Sequence, residues 1–94
     1  LKGIREAHIR DGVAVSKLLC WLDKETAKRP VTEIETCQKL LQLRAQHPLF
    51  VEPSFATISG SGANGAIVHY RVTPASDRAL KNGELFLLDS GGQY

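Results

Sequence analysis

The hydrophobic period changes once along this chain, at Pro53, and that change limits what it can become. Upstream, apolar residues recur at helical spacing; downstream, they alternate or run together as they do in strands. Grouped helices followed by grouped strands predict an α+β architecture, two helices packed on a small, mostly antiparallel sheet.

The first helix is expected from about residue 4 to 24. Ile4, Ala7, Val15, Leu18, Leu19 and Leu22 share one face, and Ile9, Val13 and Cys20 lie opposite, so the pattern predicts cover on two sides. Lys28-Arg29-Pro30 breaks it. Thr32-Glu33-Ile34-Glu35 has the spacing of a capping box, in which the Thr hydroxyl and the Glu35 carboxylate satisfy N–H groups that lack helical partners. The second helix then spans about 32 to 46, with Ile34, Cys37, Leu41 and Ala45 as its buried face, Leu40 on the flank and His47-Pro48 as its end. Strands are expected at about 54–59, 66–72 and 84–90. The first two would pair across the glycine-rich loop Gly60–Gly65. An Asn82-Gly83 turn precedes Leu85-Phe86-Leu87-Leu88, which is apolar on both faces as a centrally buried strand would be.

Composition removes several function classes. A hydrophobic share of 43% with 23% charged residues fits a globular sequence. No apolar run approaches the ~20 residues needed to span a bilayer. The net charge is only +2 and the basic residues are scattered, which argues against nucleic-acid binding. Cys20 and Cys37 are expected to be buried free thiols, in keeping with a reducing compartment. No signal peptide is visible. The absence of Met, and a final Ser90-Gly91-Gly92-Gln93-Tyr94 just past an apolar run, predict that these 94 residues belong to a longer protein.

Gly60-Ser61-Gly62-Ala63-Asn64-Gly65 matches G-x-G-x-x-G. A dinucleotide site needs a helix to open there, with pyrophosphate on its N-terminus. The β-branched and aromatic Ala66–Val72 has no helical period, and no Lys-Ser/Thr follows the last glycine as a P-loop requires. A tight connection between strands is the expected use of these glycines.

Three histidines and two aspartates need weighing. His8 and Asp11 stand at i, i+3 on the first helix. They could be a metal or catalytic pair, but the expected arrangement is a buried imidazole satisfied by a carboxylate. His47 is expected to cap its helix and meet the dipole. His69 shares a strand face with Ile67 and Arg71, and a lone strand histidine is usually structural. Asp89 follows four apolar residues, on the face of Leu85 and Leu87. A carboxylate ending a buried strand is costly unless paired or on a metal; spacing alone leaves metal ligand and turn cap for Ser90-Gly91-Gly92 equally open. One carboxylate does not make a hydrolytic metal site.

Taken together, several of these segments resemble one family. The stretch Pro53-Ser54-Phe55-Ala56-Thr57-Ile58-Ser59-Gly60 through His69-Tyr70 is similar to a strand-loop-strand of Xaa-Pro aminopeptidases of the aminopeptidase P type. Leu87-Leu88-Asp89-Ser90-Gly91-Gly92-Gln93-Tyr94 resembles the first metal-ligand strand of those enzymes. The helical opening around Glu6–Ala14 and Trp21-Leu22 fits as well, so the similarity spans nearly the whole chain. It implies part of a pita-bread fold and hydrolysis of the bond between an N-terminal residue and proline, hence a peptide substrate with proline at the second position. It also implies two divalent metal ions, usually Mn²⁺, with Asp89 as the first metal-ligating carboxylate and His69 contacting the peptide and its tetrahedral state. The remaining ligands, an Asp, a His and two Glu, would lie beyond Tyr94, so the fragment alone would be inactive. A cytoplasmic and possible homodimeric parent is part of the same implication. Two other readings keep the fold: a prolidase- or creatinase-like hydrolase, and a non-catalytic module that binds peptides or proteins.

Overall fold

The computed structural model describes residues 2–67, 70–81 and 84–93. Two helices come first, α1 (Lys2–Thr26) and α2 (Glu33–Ala45); then β1 (Glu52–Pro53), β2 (Ile58–Ser61), a 3₁₀ turn (Gly62–Ala66), β3 (Phe86–Asp89) and β4 (Gly92–Gln93). The α+β expectation and the antiparallel pairing are both present.

Helix α1 has no proline in its interior and closes where Thr26 Oγ1 donates to the Leu22 carbonyl, before Pro30. Arg29 then ties the two helices, pairing with Glu25 at 2.9 Å and Glu35 at 2.6 Å. The capping box forms as the spacing requires: Glu35 N donates to Thr32 Oγ1, and Thr32 N to Glu35 Oε1. A cap of this kind contributes about 1 kcal/mol. The stretch before β3 docks on the same end, where Ile34 N donates to Asp77 Oδ1 and Thr32 bridges Ala79.

The core forms where α1 and α2 meet the sheet. Leu18, Leu22, Val31 and Leu40 are buried, and Val15, Trp21, Leu43, Leu80, Phe86 and Leu88 pack on them. Only one side of α1 is covered among the described residues; Ile4, Ile9, Val13, Leu19 and Cys20 are exposed, against the expectation of two covered faces. Helix α2 also turns a different side inward. Its buried residues are Glu33, Thr36, Leu40 and Arg44, while Leu41 and Ala45 are exposed. The helix is rotated because three of those four residues are polar and find partners inside, so apolar spacing alone misplaces the face.

The strands differ more. β2 runs into the glycine segment and pairs with β3, Ile58 opposite Asp89 and Ser61 opposite Phe86. β1 pairs with β4, Glu52 opposite Gln93 and Pro53 opposite Gly92. From Pro53 to Ile58 is five steps and from Gly92 to Asp89 three, so two extra residues bulge from the first strand between the ladders. The expected 54–59 strand is therefore interrupted. The strand expected at 66–72 is replaced in its described part: Ala66 closes the 3₁₀ turn, and Ile67 and Tyr70–Val72 join no ladder. Side-chain hydrogen bonds from Asn64 and Tyr70 to Glu33 hold this region where strand pairing was expected. Two glycines make the reversal possible: Gly62 has φ +56°, and a Cβ on Gly60 would lie 3.0 Å from the Asn64 carbonyl oxygen. The Asn82-Gly83 turn lies outside the described residues.

β3 is not buried on both faces. Leu85 is 89% and Leu87 44% exposed, whereas Phe86 and Leu88 face the helices. Asp89 shares the open face with Leu85 and Leu87, so the cost of burying a carboxylate does not arise here.

Candidate functional site

The open face of β3 and the bulge before β2 build one feature together. Phe55 and Ala56, pushed out by the two extra residues, line a depression of about 460 Å³ with Ile58, Arg71 and Asp89. Three of the lining residues are apolar, and the two charged ones are of opposite sign. Among the described residues neither the Asp89 carboxylate nor the Arg71 guanidinium makes a hydrogen bond or ion pair, with each other or with anything else.

The backbone just after Asp89 is held from behind. Arg44, 1% exposed, donates to Asp11 through Nε at 2.7 Å and Nη2 at 3.0 Å, and the same Nη2 reaches Ser90 Oγ at 3.1 Å. Both glycines that follow are needed at close quarters. A Cβ on Gly91 would lie 3.1 Å from the Ser54 side chain in the bulge, and one on Gly92 would lie 3.2 Å from Asp11 Oδ1 and 3.3 Å from Arg44 Cδ. The Ser-Gly-Gly run thus threads between the bulge and a buried ion pair, which sets where β3 delivers Asp89.

A second polar centre sits behind the 3₁₀ turn. The buried Glu33 carboxylate accepts from Tyr70 Oη at 2.8 Å, from Asn64 Nδ2 at 3.2 Å, and from the backbone N–H groups of Ser61 and Arg78. Ser59 Oγ donates to the Glu33 carbonyl. Burial pushes the Tyr70 hydroxyl up from its ordinary pKa; Ser76 pulls it partly back, and the adjacent Glu33 charge adds to the rise. Burial likewise raises the Cys37 thiol, which keeps it from being a ready thiolate.

Placement of the sequence candidates follows from this geometry. Asp89 is at the open site. His69 lies outside the described residues. His8 is exposed, so the buried imidazole–carboxylate pair expected with Asp11 gives way to the Asp11–Arg44 pair. His47 sits past the end of α2, where its backbone N–H donates to the Arg44 carbonyl, as expected of a residue closing the helix, and its Nδ1 accepts from Leu49 N. Cys20 is exposed and Cys37 half-buried, both free, which corrects the expectation that both are buried. The glycine run folds into a five-residue 3₁₀ turn that Ile67 leaves in extended backbone, so no α-helix opens there for a pyrophosphate. Sequence reading missed Arg44, Ser90, Glu33 and Arg71. For Arg44 the available signal was Asp11 itself, an acid on the apolar side of a helix that needed a cation.

A depression of about 460 Å³ falls in the size range of small-molecule sites, and bulges recur next to active sites. The chain belongs to metallopeptidase family M24, whose sequence profile matches residues 2–94. Within that family it is similar to aminopeptidases of the P type. Aminopeptidase P2 of Arabidopsis thaliana is 45% identical over 95 residues, which cover 100% of this chain and 13% of that protein. Xaa-Pro aminopeptidase 2 of Sus scrofa is 42% identical over 91 residues, 97% of this chain and 14% of that one. The X-prolyl aminopeptidase of Caenorhabditis elegans, described as a cytosolic enzyme with a di-nuclear active site, matches in structure with a TM-score of 0.91 at 39% identity, over 99% of this chain and 16% of that one. The two helices and small antiparallel sheets are thus part of the pita-bread fold, and the chain spans a small fraction of the proteins it matches.

The donor chemistry can be tested on these residues. A carboxylate oxygen suits a hard divalent ion. Among the described residues, however, no group of three or more His, Cys, Asp or Glu is placed to hold a metal. Asp89 fits as one ligand; the described residues do not complete a centre. Among the described residues, no helix is long and apolar enough to cross a membrane.

Proposed function

We propose that this chain forms part of the catalytic domain of a dinuclear-metal aminopeptidase that removes an N-terminal residue preceding proline. The observation that carries this reading is the Asp89 carboxylate, exposed at the end of β3 and without a partner among the described residues, in a depression of ligand size. Asp89 is the first metal-ligating carboxylate, and its direction is set by the Ser90–Arg44 contact behind it. His69 contacts the peptide and stabilises the tetrahedral state without binding metal. The other ligands come from outside these residues. When bound, a pair of divalent ions, in our reading Mn²⁺, supplies Lewis acidity and a water of lowered pKa. Phe55, Ala56 and Ile58, which line the same depression, give a proline ring apolar side chains to lie against. The parent protein works in the cytoplasm, and a homodimer is compatible with this reading.

The test is hydrolysis of Xaa-Pro peptides by the full-length protein, before and after removal of metal with a chelator. We expect release of the N-terminal residue from Xaa-Pro peptides, loss on chelation and recovery with Mn²⁺. Peptide binding without cleavage at any metal concentration would instead mark a binding module. Cleavage confined to dipeptides would mark a prolidase.

A further inference from the structure

The depression at Asp89 contains a second charge for which the proposed chemistry has no use. Arg71 is exposed, lines the same wall, and pairs with no carboxylate among the described residues; even Asp89, in the same cavity, is not within ion-pair distance. Of the other arginines, Arg10, Arg29, Arg44 and Arg78 each hold an acidic side chain, and Arg5, exposed on α1 and outside this depression, is the other one that holds none among the described residues. With a divalent ion on Asp89 the local charge would become still more positive, so the missing counter-charge has to come from elsewhere. A planar guanidinium is the side chain best shaped to take a carboxylate with two parallel hydrogen bonds.

We propose that Arg71 is a substrate-specificity residue of this site, binding a carboxylate carried by the peptide beyond its proline. The inference rests on the aminopeptidase reading for where the peptide lies. With the scissile bond at Asp89, the chain leaving proline would continue along the same depression, whose only cation among the lining residues is Arg71. Two carboxylates could meet it: an acidic side chain at the third position, or the free C-terminus of a tripeptide. Either makes short or acidic Xaa-Pro peptides the preferred class. With divalent ions offsetting the Asp89 charge, the site would be net positive and would raise the encounter rate for anionic peptides, an effect that salt suppresses.

The experiment compares kcat/KM of the full-length protein on amidated Xaa-Pro-Asp, Xaa-Pro-Asn and Xaa-Pro-Lys peptides, and on free against amidated Xaa-Pro-Ala. Arg71, Arg71→Gln and Arg71→Glu proteins are assayed side by side at low and high salt. We expect the Asp-to-Lys ratio to be roughly five- to tenfold in the native protein, near one in Arg71→Gln and inverted in Arg71→Glu. The free-to-amidated ratio shows whether the C-terminus is the carboxylate bound. Calorimetric binding of the same peptides with a non-hydrolysable reduced Xaa–Pro bond measures the contact without turnover. An inverted binding ratio with no hydrolysis would leave the Arg71 assignment standing while the aminopeptidase reading fell. Ratios near one in native protein and unmoved by Arg71→Glu, or no binding of any of the peptides, would overturn the assignment.

Discussion

Arg44 and Ser90 lie 46 residues apart, yet one guanidinium nitrogen donates to the Ser90 hydroxyl at 3.1 Å while also holding Asp11 at 3.0 Å. The residue after the candidate metal ligand is therefore anchored to both helices at once. That contact makes the helical half of the chain part of the site: α1 and α2 fix the exit of β3 through a buried charge pair.

The pair should be asymmetric. Arg44 is 1% exposed and Asp11 23%, so removing the carboxylate strands a charge in the core, while removing the guanidinium leaves one that can reach water. We expect Asp11→Ala to destabilise the full-length protein by about 3–5 kcal/mol and Arg44→Met by less. The double substitution should cost less than the sum. Thermal unfolding of the three variants measures this, and equal losses for the two single variants would contradict the asymmetry.

Tyr70 predicts a particular alkaline behaviour. Its folded pKa is raised above the ordinary value of about 10, chiefly by burial and further by Glu33, so the folded state holds the phenolic proton longer than the unfolded chain does. The Tyr70 contribution is full below pH ~10 and is lost as pH rises through the folded value. Tyr70→Phe should cost roughly 1.5–3 kcal/mol at neutral pH, the range for a hydrogen bond to a charged group, and should remove part of the loss of stability above pH 10. Unfolding midpoints against pH for both proteins check this; parallel curves up to pH 11.5 would contradict it.

How much of this was legible in the sequence follows from the range of the interactions involved. The helices, the break at Lys28-Arg29-Pro30 and the Thr32–Glu35 capping box are local, set within a few residues, and the expected boundaries lie close to those observed. The inward face of α2 was not legible, because Glu33 and Arg44 are buried by partners 28 to 46 residues away. The strand expected at 66–72 failed for the same reason: β-branched residues suggested a ladder, but Asn64 and Tyr70 are drawn to Glu33. Leu85–Leu88 looked doubly buried since apolar residues alone do not tell which face lacks cover. Asp89 drew notice for two reasons: a carboxylate after four apolar residues suggested a costly burial, which the open face of β3 removes, and Asp-Ser-Gly-Gly-Gln carried a family likeness, which does not depend on burial. Arg71, one of twelve basic residues, carried no such signal.

The isolated 94 residues should be poor in metal affinity. Asp89 offers one carboxylate, Asp11 is engaged by Arg44, and the described residues hold no cluster of three ligands, whereas a hard divalent ion takes about six. Calorimetric titration with Mn²⁺ near neutral pH should give no resolvable binding. Stoichiometric uptake of two ions would mean that residues assigned here to structure act as ligands.

The most direct measurement is the metal content of the full-length protein with Asp89→Asn and, separately, with His69→Ala, each set beside Xaa-Pro hydrolysis. The native full-length protein should hold about two divalent ions per chain. Asp89→Asn should show reduced occupancy and a fall in turnover of roughly a hundredfold or more, since an anionic ligand is lost. His69→Ala should keep its metal and still lose rate, as removal of a transition-state contact would. Native metal content and native turnover in Asp89→Asn would contradict the claim that β3 delivers a metal ligand.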